Sequence, residues 1–120
     1  MTFTIPLPPV TKKNHGQIVM SHGRPILLPS PQYRKYEKNA RIFVPEGRIE
    51  GPVEVTALFF MPTRRRVDLT NLLQALDDLL VSCGLLADDS YAVIESHDGS
   101  RVHFDKLNPR TEVSIHEIRV

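Results

Sequence analysis

Arg64-Arg65-Arg66-Val67-Asp68-Leu69-Thr70-Asn71-Leu72-Leu73-Gln74-Ala75-Leu76-Asp77-Asp78-Leu79-Leu80-Val81-Ser82-Cys83-Gly84-Leu85-Leu86-Ala87-Asp88-Asp89 is the stretch around which the chain is organised. At about 100° per residue, Leu72, Leu73, Leu76, Leu79, Leu80 and Cys83 share an arc of about 120°, the core face of an amphipathic helix. Thr70, Asn71, Gln74, Asp77, Asp78 and Ser82 are expected outside it. Asp68 or Thr70 is the expected N-cap, and Gly84 the glycine that follows the last turn. A cationic run and an acid thus precede the helix, and a pair of acids follows it. Metal-dependent cleavage of a polyanion needs such a combination.

Upstream, Val53, Val55, Ala57, Phe59 and Met61 alternate with Glu54, Thr56, Leu58 and Phe60, which predicts a strand. Its last residues are apolar on both faces, as for a central strand covered on two sides, with Leu58 and Phe60 under a helix. Ser30-Pro31 predicts a helix start. That helix would run from about Pro31 to about Val44 on a stripe of Tyr33, Tyr36, Ala40, Phe43 and Val44, with a basic outer face of Arg34, Lys35, Lys38 and Arg41. Phe3, Ile5 and Leu7 predict a short first strand stopped by Pro8-Pro9, and two apolar runs around Ser21-His22-Gly23-Arg24 read as a hairpin. Downstream, strands are expected from Ala92-Val93-Ile94, from Arg101 to Phe104 and from Thr111 to Val120, with turns at 97–100 and 108–110. Strands and helices mix without regular alternation. The fold class is therefore α+β, a single domain over residues 1–120 with two main helices packed on a small mixed sheet.

Composition removes several alternatives. With 41% hydrophobic and 24% charged residues, a disordered chain is not expected, and a net charge of +1 means that any nucleic-acid role must come from local clustering. The single cysteine, Cys83, excludes an internal disulfide and falls at helical spacing with the core leucines. The N-terminus has no charged region followed by an apolar run, and no apolar stretch approaches the roughly 18 residues of a membrane span. No signal peptide or membrane partner is expected, and the expected location is the cytoplasm. Phosphate-binding P-loops, nucleophile elbows and dinucleotide fingerprints are missing, so no nucleotide cofactor is expected.

Asp68 and Asp89 are the leading candidates for a shared metal. The helix between them separates its ends by about 20 Å, so the chain after Gly84 would have to fold back toward its start. Thr70, Asp88, Glu95 and Asp98 are further candidate ligands, with Asp77 or Asp78 behind them. Acids without a spaced Cys/His set favour Mg²⁺ or Mn²⁺ over zinc. The five histidines are scattered, and His97 beside Asp98 is the pairing to watch. Arg64, Arg65 and Arg66, the densest positive run, adjoin a candidate carboxylate and suit phosphate contact. Set against this, a helix cap at Asp68 and a polar turn at Asp88-Asp89 would leave a structural or partner-binding protein.

The run from Arg64 to Leu72, followed by Gly84-Leu85-Leu86-Ala87-Asp88-Asp89, resembles the RusA family of Holliday junction resolvases, typically encoded in prophages. That family shows a basic stretch, D-x-D-N-L at a helix start and G-x-x-x-D-D after it, and the spacing here matches without a gap. Leu7-Pro8-Pro9 followed by Asn14 fits the family's opening. The resemblance implies a homodimeric, Mg²⁺-dependent endonuclease that nicks four-way DNA junctions symmetrically in recombination and repair, with Asp68 and Asp89 as catalytic, metal-binding carboxylates. Lys12, Lys13, Arg64, Arg65, Arg66 and Arg101 are the expected DNA contacts. Two positions depart from the pattern: Thr70 stands where the second carboxylate of D-x-D-N is usual, and Gln74 where a lysine is usual. The alternative reading is accordingly a catalytically weakened or inactive junction-binding protein of phage origin.

Overall fold

The computed structural model describes residues 1–12, 17–28 and 30–118. Candidate Lys13, Asn14 of the opening motif and the last two residues of the expected final strand lie outside the described residues. The elements run β1 (Thr2–Ile5), β2 (Gln17–Ser21), β3 (Arg24–Leu28), α1 (Pro31–Ala40), β4 (Val53–Met61), α2 (Leu69–Ser82), β5 (Ile94–Ser96), β6 (Arg101–Phe104) and β7 (Arg110–Glu117). A single 3-10 turn, Arg41–Phe43, extends α1 toward the expected end at Val44. The α+β class, with two helices on a mixed sheet, is the architecture observed.

β4 is the central strand. β7 pairs antiparallel along one edge, from Val53↔Glu117 to Phe60↔Arg110, and β1 pairs antiparallel with the far side of β7. The other edge of β4 is shared by two short parallel strands: β5 sits at Val53 and Glu54, and β6 at residues 58–61. Between them the ladder is interrupted, and side chains take over its hydrogen bonds. The Ala57 amide donates to Ser100 Oγ at 3.0 Å, the Val55 carbonyl accepts from His97 Nδ1 at 2.9 Å, and the Thr56 hydroxyl donates to the Asp98 carbonyl at 2.8 Å. This settles backbone groups that would otherwise be left unpaired on a central strand.

Both helices pack on one face of the sheet. Val53, Val55, Ala57, Phe59, Val113 and Ile115 meet Ala40 and Val44 from the α1 side and Leu72, Leu76, Leu79 and Leu80 from α2 in one buried cluster. Each fully buried leucine contributes about 1.5–3 kcal/mol relative to an exposed one. The Ser30 hydroxyl accepts from the Tyr33 amide at 3.1 Å, the expected cap, and the Tyr33 hydroxyl then donates to the Ala75 carbonyl, locking α1 against α2. The expectation that β4 is covered on both sides is not met. Leu58 and Phe60 are half-buried on the open face and do not join the core; Phe60 is covered by Arg110, 3.7 Å from its centroid, and by the stacked ring of His103. Side chains from neighbouring strands do there what a helix was expected to do.

The β2–β3 hairpin forms at the expected turn and is a separate two-stranded sheet. At the end of α2 the Gly84 amide donates to the Val81 carbonyl and the Leu85 amide to the Leu80 carbonyl, with Gly84 at φ 79°. This is a Schellman closure, for which glycine is the favoured residue. It turns Leu85 and Leu86 into the core, where Leu86 bridges Ile49.

Candidate active site and nucleic-acid interface

Asp68 is the N-cap of α2, with extended backbone at φ −94°, and its carbonyl accepts from the amides of Asn71 and Leu72. Its side chain makes no capping bond. Instead Oδ2 accepts from the Asn71 side-chain amide at 3.3 Å, and Oδ1 lies 3.9 Å from Arg66 Nε. An acid at a helix N-terminus is favoured by the macrodipole, and here its carboxylate stays 55% exposed. It lines a cavity of about 180 Å³ with Thr11, Arg66, Val67 and Asn71. Two further grooves adjoin it along the same loop, one of them reaching β6 through Val102 and Phe104. Thr70 and Gln74, the two departures from the motif, are both exposed on the first turns of α2.

The other candidate acids sit on later segments of the chain. Asp88 and Asp89 are exposed in the excursion between the Leu86 bridge and β5. Asp88 works as a turn former: the Asp89 amide first, and then the Ser90 hydroxyl, hold its carboxyl below the usual carboxylate range. A Cβ on Gly51 would stand 2.7 Å from the Val93 backbone, so Gly51 lets the end of this excursion dock beside β4. Glu95 and Asp98 are exposed, and Asp98 is bonded through its backbone, its amide donating to Ser96 Oγ. Among the described residues, no group of three or more His, Cys, Asp and Glu side chains is placed to hold a metal ion.

Asp77 was expected outside the core arc and is buried, 8% exposed. Its Oδ2 pairs with His97 Nε2 at 2.7 Å, and the opposite ring nitrogen of His97 meets the Val55 carbonyl. That carbonyl can only accept, so Nδ1 carries a proton and Nε2 shares another with the carboxyl. The carboxylate partner of His97 is therefore Asp77 on α2, not its chain neighbour Asp98. Burial raises the Asp77 pKa against the lowering effect of His97, with Asp89 and Asp78 adding to the rise; the hydrogen bond that His97 donates to Asp77 is the main cause that raises His97. Asp77 Oδ1 has no hydrogen-bond partner among the described residues. The sequence carried a signal for this: Asp77 lies only about 40° round the helix from Leu73, at the rim of the apolar arc.

The candidate cations also divide. Lys12 Nζ binds Asp78 Oδ2 at 2.8 Å and lies over the Tyr33 ring, which ties the loop after β1 to the helices. Arg64 and Arg65 are exposed with no carboxylate partner among the described residues, and Arg66 has only the long contact with Asp68. Arg101 is exposed at the start of β6. An open cationic groove ending in an exposed carboxylate suits a polyanionic, phosphodiester substrate.

These features describe a small α+β domain with an open, arginine-lined groove at the head of α2. The sequence model of the Endodeoxyribonuclease RusA family matches residues 6–116, nearly the whole chain. The chain belongs to the RusA family of endodeoxyribonucleases, which are Holliday junction resolvases. A search of curated proteins finds no match. No helix is long and apolar enough to cross a membrane among the described residues.

Proposed function

We propose that this chain is a Mg²⁺-dependent nuclease that resolves four-way DNA junctions by paired symmetric nicks, acting as a cytoplasmic homodimer in recombination and repair. The observation that carries the reading is the head of α2, where an exposed carboxylate sits in a groove beside arginines that have no strong acid partner among the described residues. The donors at that end, the Asp68 carboxylate and the Thr70 hydroxyl, are hard oxygens. They suit Mg²⁺, which keeps several waters and needs few protein ligands, with Mn²⁺ as a substitute. Asp68 and Asp89 are the residues proposed to hold it, and Thr70, Asp88, Glu95 and Asp98 the further candidates. Bound there, the ion would supply a water of lowered pKa and neutralise charge on the scissile phosphate.

The chain's own groups supply the rest. Asn71 orients the Asp68 carboxylate through its amide. Arg64, Arg65, Arg66 and Arg101 hold flanking phosphates, and a two-fold dimer matches the two-fold character of a junction. Lys12 contributes through the loop it anchors to Asp78. Asp68→Asn and Asp89→Asn are expected to abolish junction cleavage while leaving junction binding within about twofold in gel-shift titrations, since neither removes a phosphate contact. Full cleavage by both variants would refute the assignment.

A second reading, a weakened or inactive junction binder, draws on Thr70 and Gln74, which leave the first turns of α2 with neither a second carboxylate nor a lysine. It expects binding without metal-dependent product, and cleavage that appears or rises in Thr70→Asp.

A further inference from the structure

Phe104 is a large aromatic side chain left 41% exposed at the end of β6, an edge strand, and it belongs to no part of the core cluster. Its ring carries the Arg64 guanidinium 4.2 Å from the centroid. Val102, two residues earlier and therefore on the same face of the strand, is 37% exposed. Both line one groove with Arg64, Arg65 and Arg66. The other aromatic of this region, Phe60, is already covered on the opposite face by Arg110 and His103, and Arg110 is committed to Asp105 and Glu112. Phe104 has Arg64 above it, and Arg64 has no acid to hold it among the described residues.

An exposed ring beside unpaired cations is the combination that binds unstacked nucleotides: the ring takes the face of a base, and the cations take its phosphates. The adjoining groove leads to Asp68, so a strand whose phosphates lie along Arg64–Arg66 has a base within reach of β6. We infer that Phe104 and Val102 form a stacking shelf for one base unstacked at the branch point of the DNA, with Arg64 moving from the ring to that nucleotide's phosphate. This rests on the nuclease reading above and deepens it, because it gives the groove a means of telling branched DNA from a continuous duplex. Bases at a branch point cost least to unstack, so the shelf is selective for structure while staying tolerant of sequence.

The test is binding in EDTA, without cleavage, of a synthetic four-way junction and a linear duplex of the same sequence, using wild type, Phe104→Ala, Phe104→Tyr and Arg64→Ala. Melting temperature and sedimentation are recorded for each. Phe104→Ala is expected to lose about tenfold in junction affinity and nothing measurable on the duplex, and Phe104→Tyr to bind the junction like wild type. Arg64→Ala is expected to weaken binding to both DNAs and to reduce the salt slope by about one. Unchanged junction affinity in Phe104→Ala, or equal losses on both DNAs, overturns the shelf. So does a change in sedimentation without a change in DNA affinity, which would make the patch a contact between copies of the chain. The two proposals separate cleanly: cleavage by wild type with an indifferent Phe104 sinks the shelf alone, and a tenfold junction-selective loss in a protein that never cleaves sinks the nuclease reading alone.

Discussion

Asp68 and Asp77 are two carboxylates on the same helix, nine residues apart, and their surroundings give them opposite uses. Asp68 stands at the N-cap with its side chain 55% exposed, held among the described residues by an amide and a distant guanidinium. Asp77 is buried against the sheet, paired with His97 at 2.7 Å, with its other oxygen unpartnered among the described residues. The exposed acid keeps lone pairs for a ligand. The buried acid is committed to the fold, because it fixes the ring that completes the hydrogen bonding of Val55 in the gap between β5 and β6. Residue type alone does not separate a metal ligand from a structural strut; burial and partners do.

The sharpest way to break this contrast is to neutralise each acid in turn. Asp68→Asn is expected to lower junction cleavage about 100-fold or more, since even the partners of metal ligands commonly cost about 10–100-fold, and to leave the melting temperature unchanged. An Asp68→Asn protein that cleaves normally but melts early would reverse the two roles. His97→Ala is expected to destabilise the fold by about 1–3 kcal/mol in urea titrations, because it leaves the buried Asp77 without its partner and Val55 without its donor. Cleavage per folded molecule should stay close to that of wild type.

The pair also predicts a pH dependence. His97 is raised above its ordinary 6.5 by the hydrogen bond it donates to Asp77, and burial raises Asp77. Both shifts mean that the folded state holds protons more tightly than the unfolded one. The stabilisation from His97 is fully present below its unfolded pKa and is lost as pH rises through the folded pKa. The urea midpoint should therefore fall from about pH 6 to about pH 9, and His97→Asn should flatten that fall. A stability that rises over this range would contradict the pairing. The smallest effect is expected at the far end of the helix. Gly84→Ala, at φ 79°, should cost about 1 kcal/mol through the strained left-handed backbone and leave cleavage unaltered.

Much of the architecture was legible because periodicity and punctuation report local physics directly. The leucine arc of α2, the Ser30-Pro31 start, the Gly84 stop, the hairpin and the alternation of β4 are all where the pattern puts them. The α+β class followed from their order, and the motif spacing pointed to the family. What stayed hidden depends on which segments meet. An apolar Phe60 reads the same under a helix or under an arginine from β7, and the alternation cannot say which cover arrives. His97 sits beside Asp98 in the chain, yet strand geometry turns the ring toward α2 and Asp77. The pairing of Lys12 with Asp78 depends likewise on how the loop after β1 meets α2. The gap between β5 and β6 had no signature beyond the turn residues at 97–100, since its cause is a pairing pattern along an edge.

Incubating the wild-type chain with an end-labelled four-way junction, with and without Mg²⁺, decides whether an exposed carboxylate in an arginine-lined groove makes this family member a working nuclease. Paired nicks at symmetric positions that require the metal are expected. Tight junction binding with no metal-dependent product would overturn the nuclease assignment.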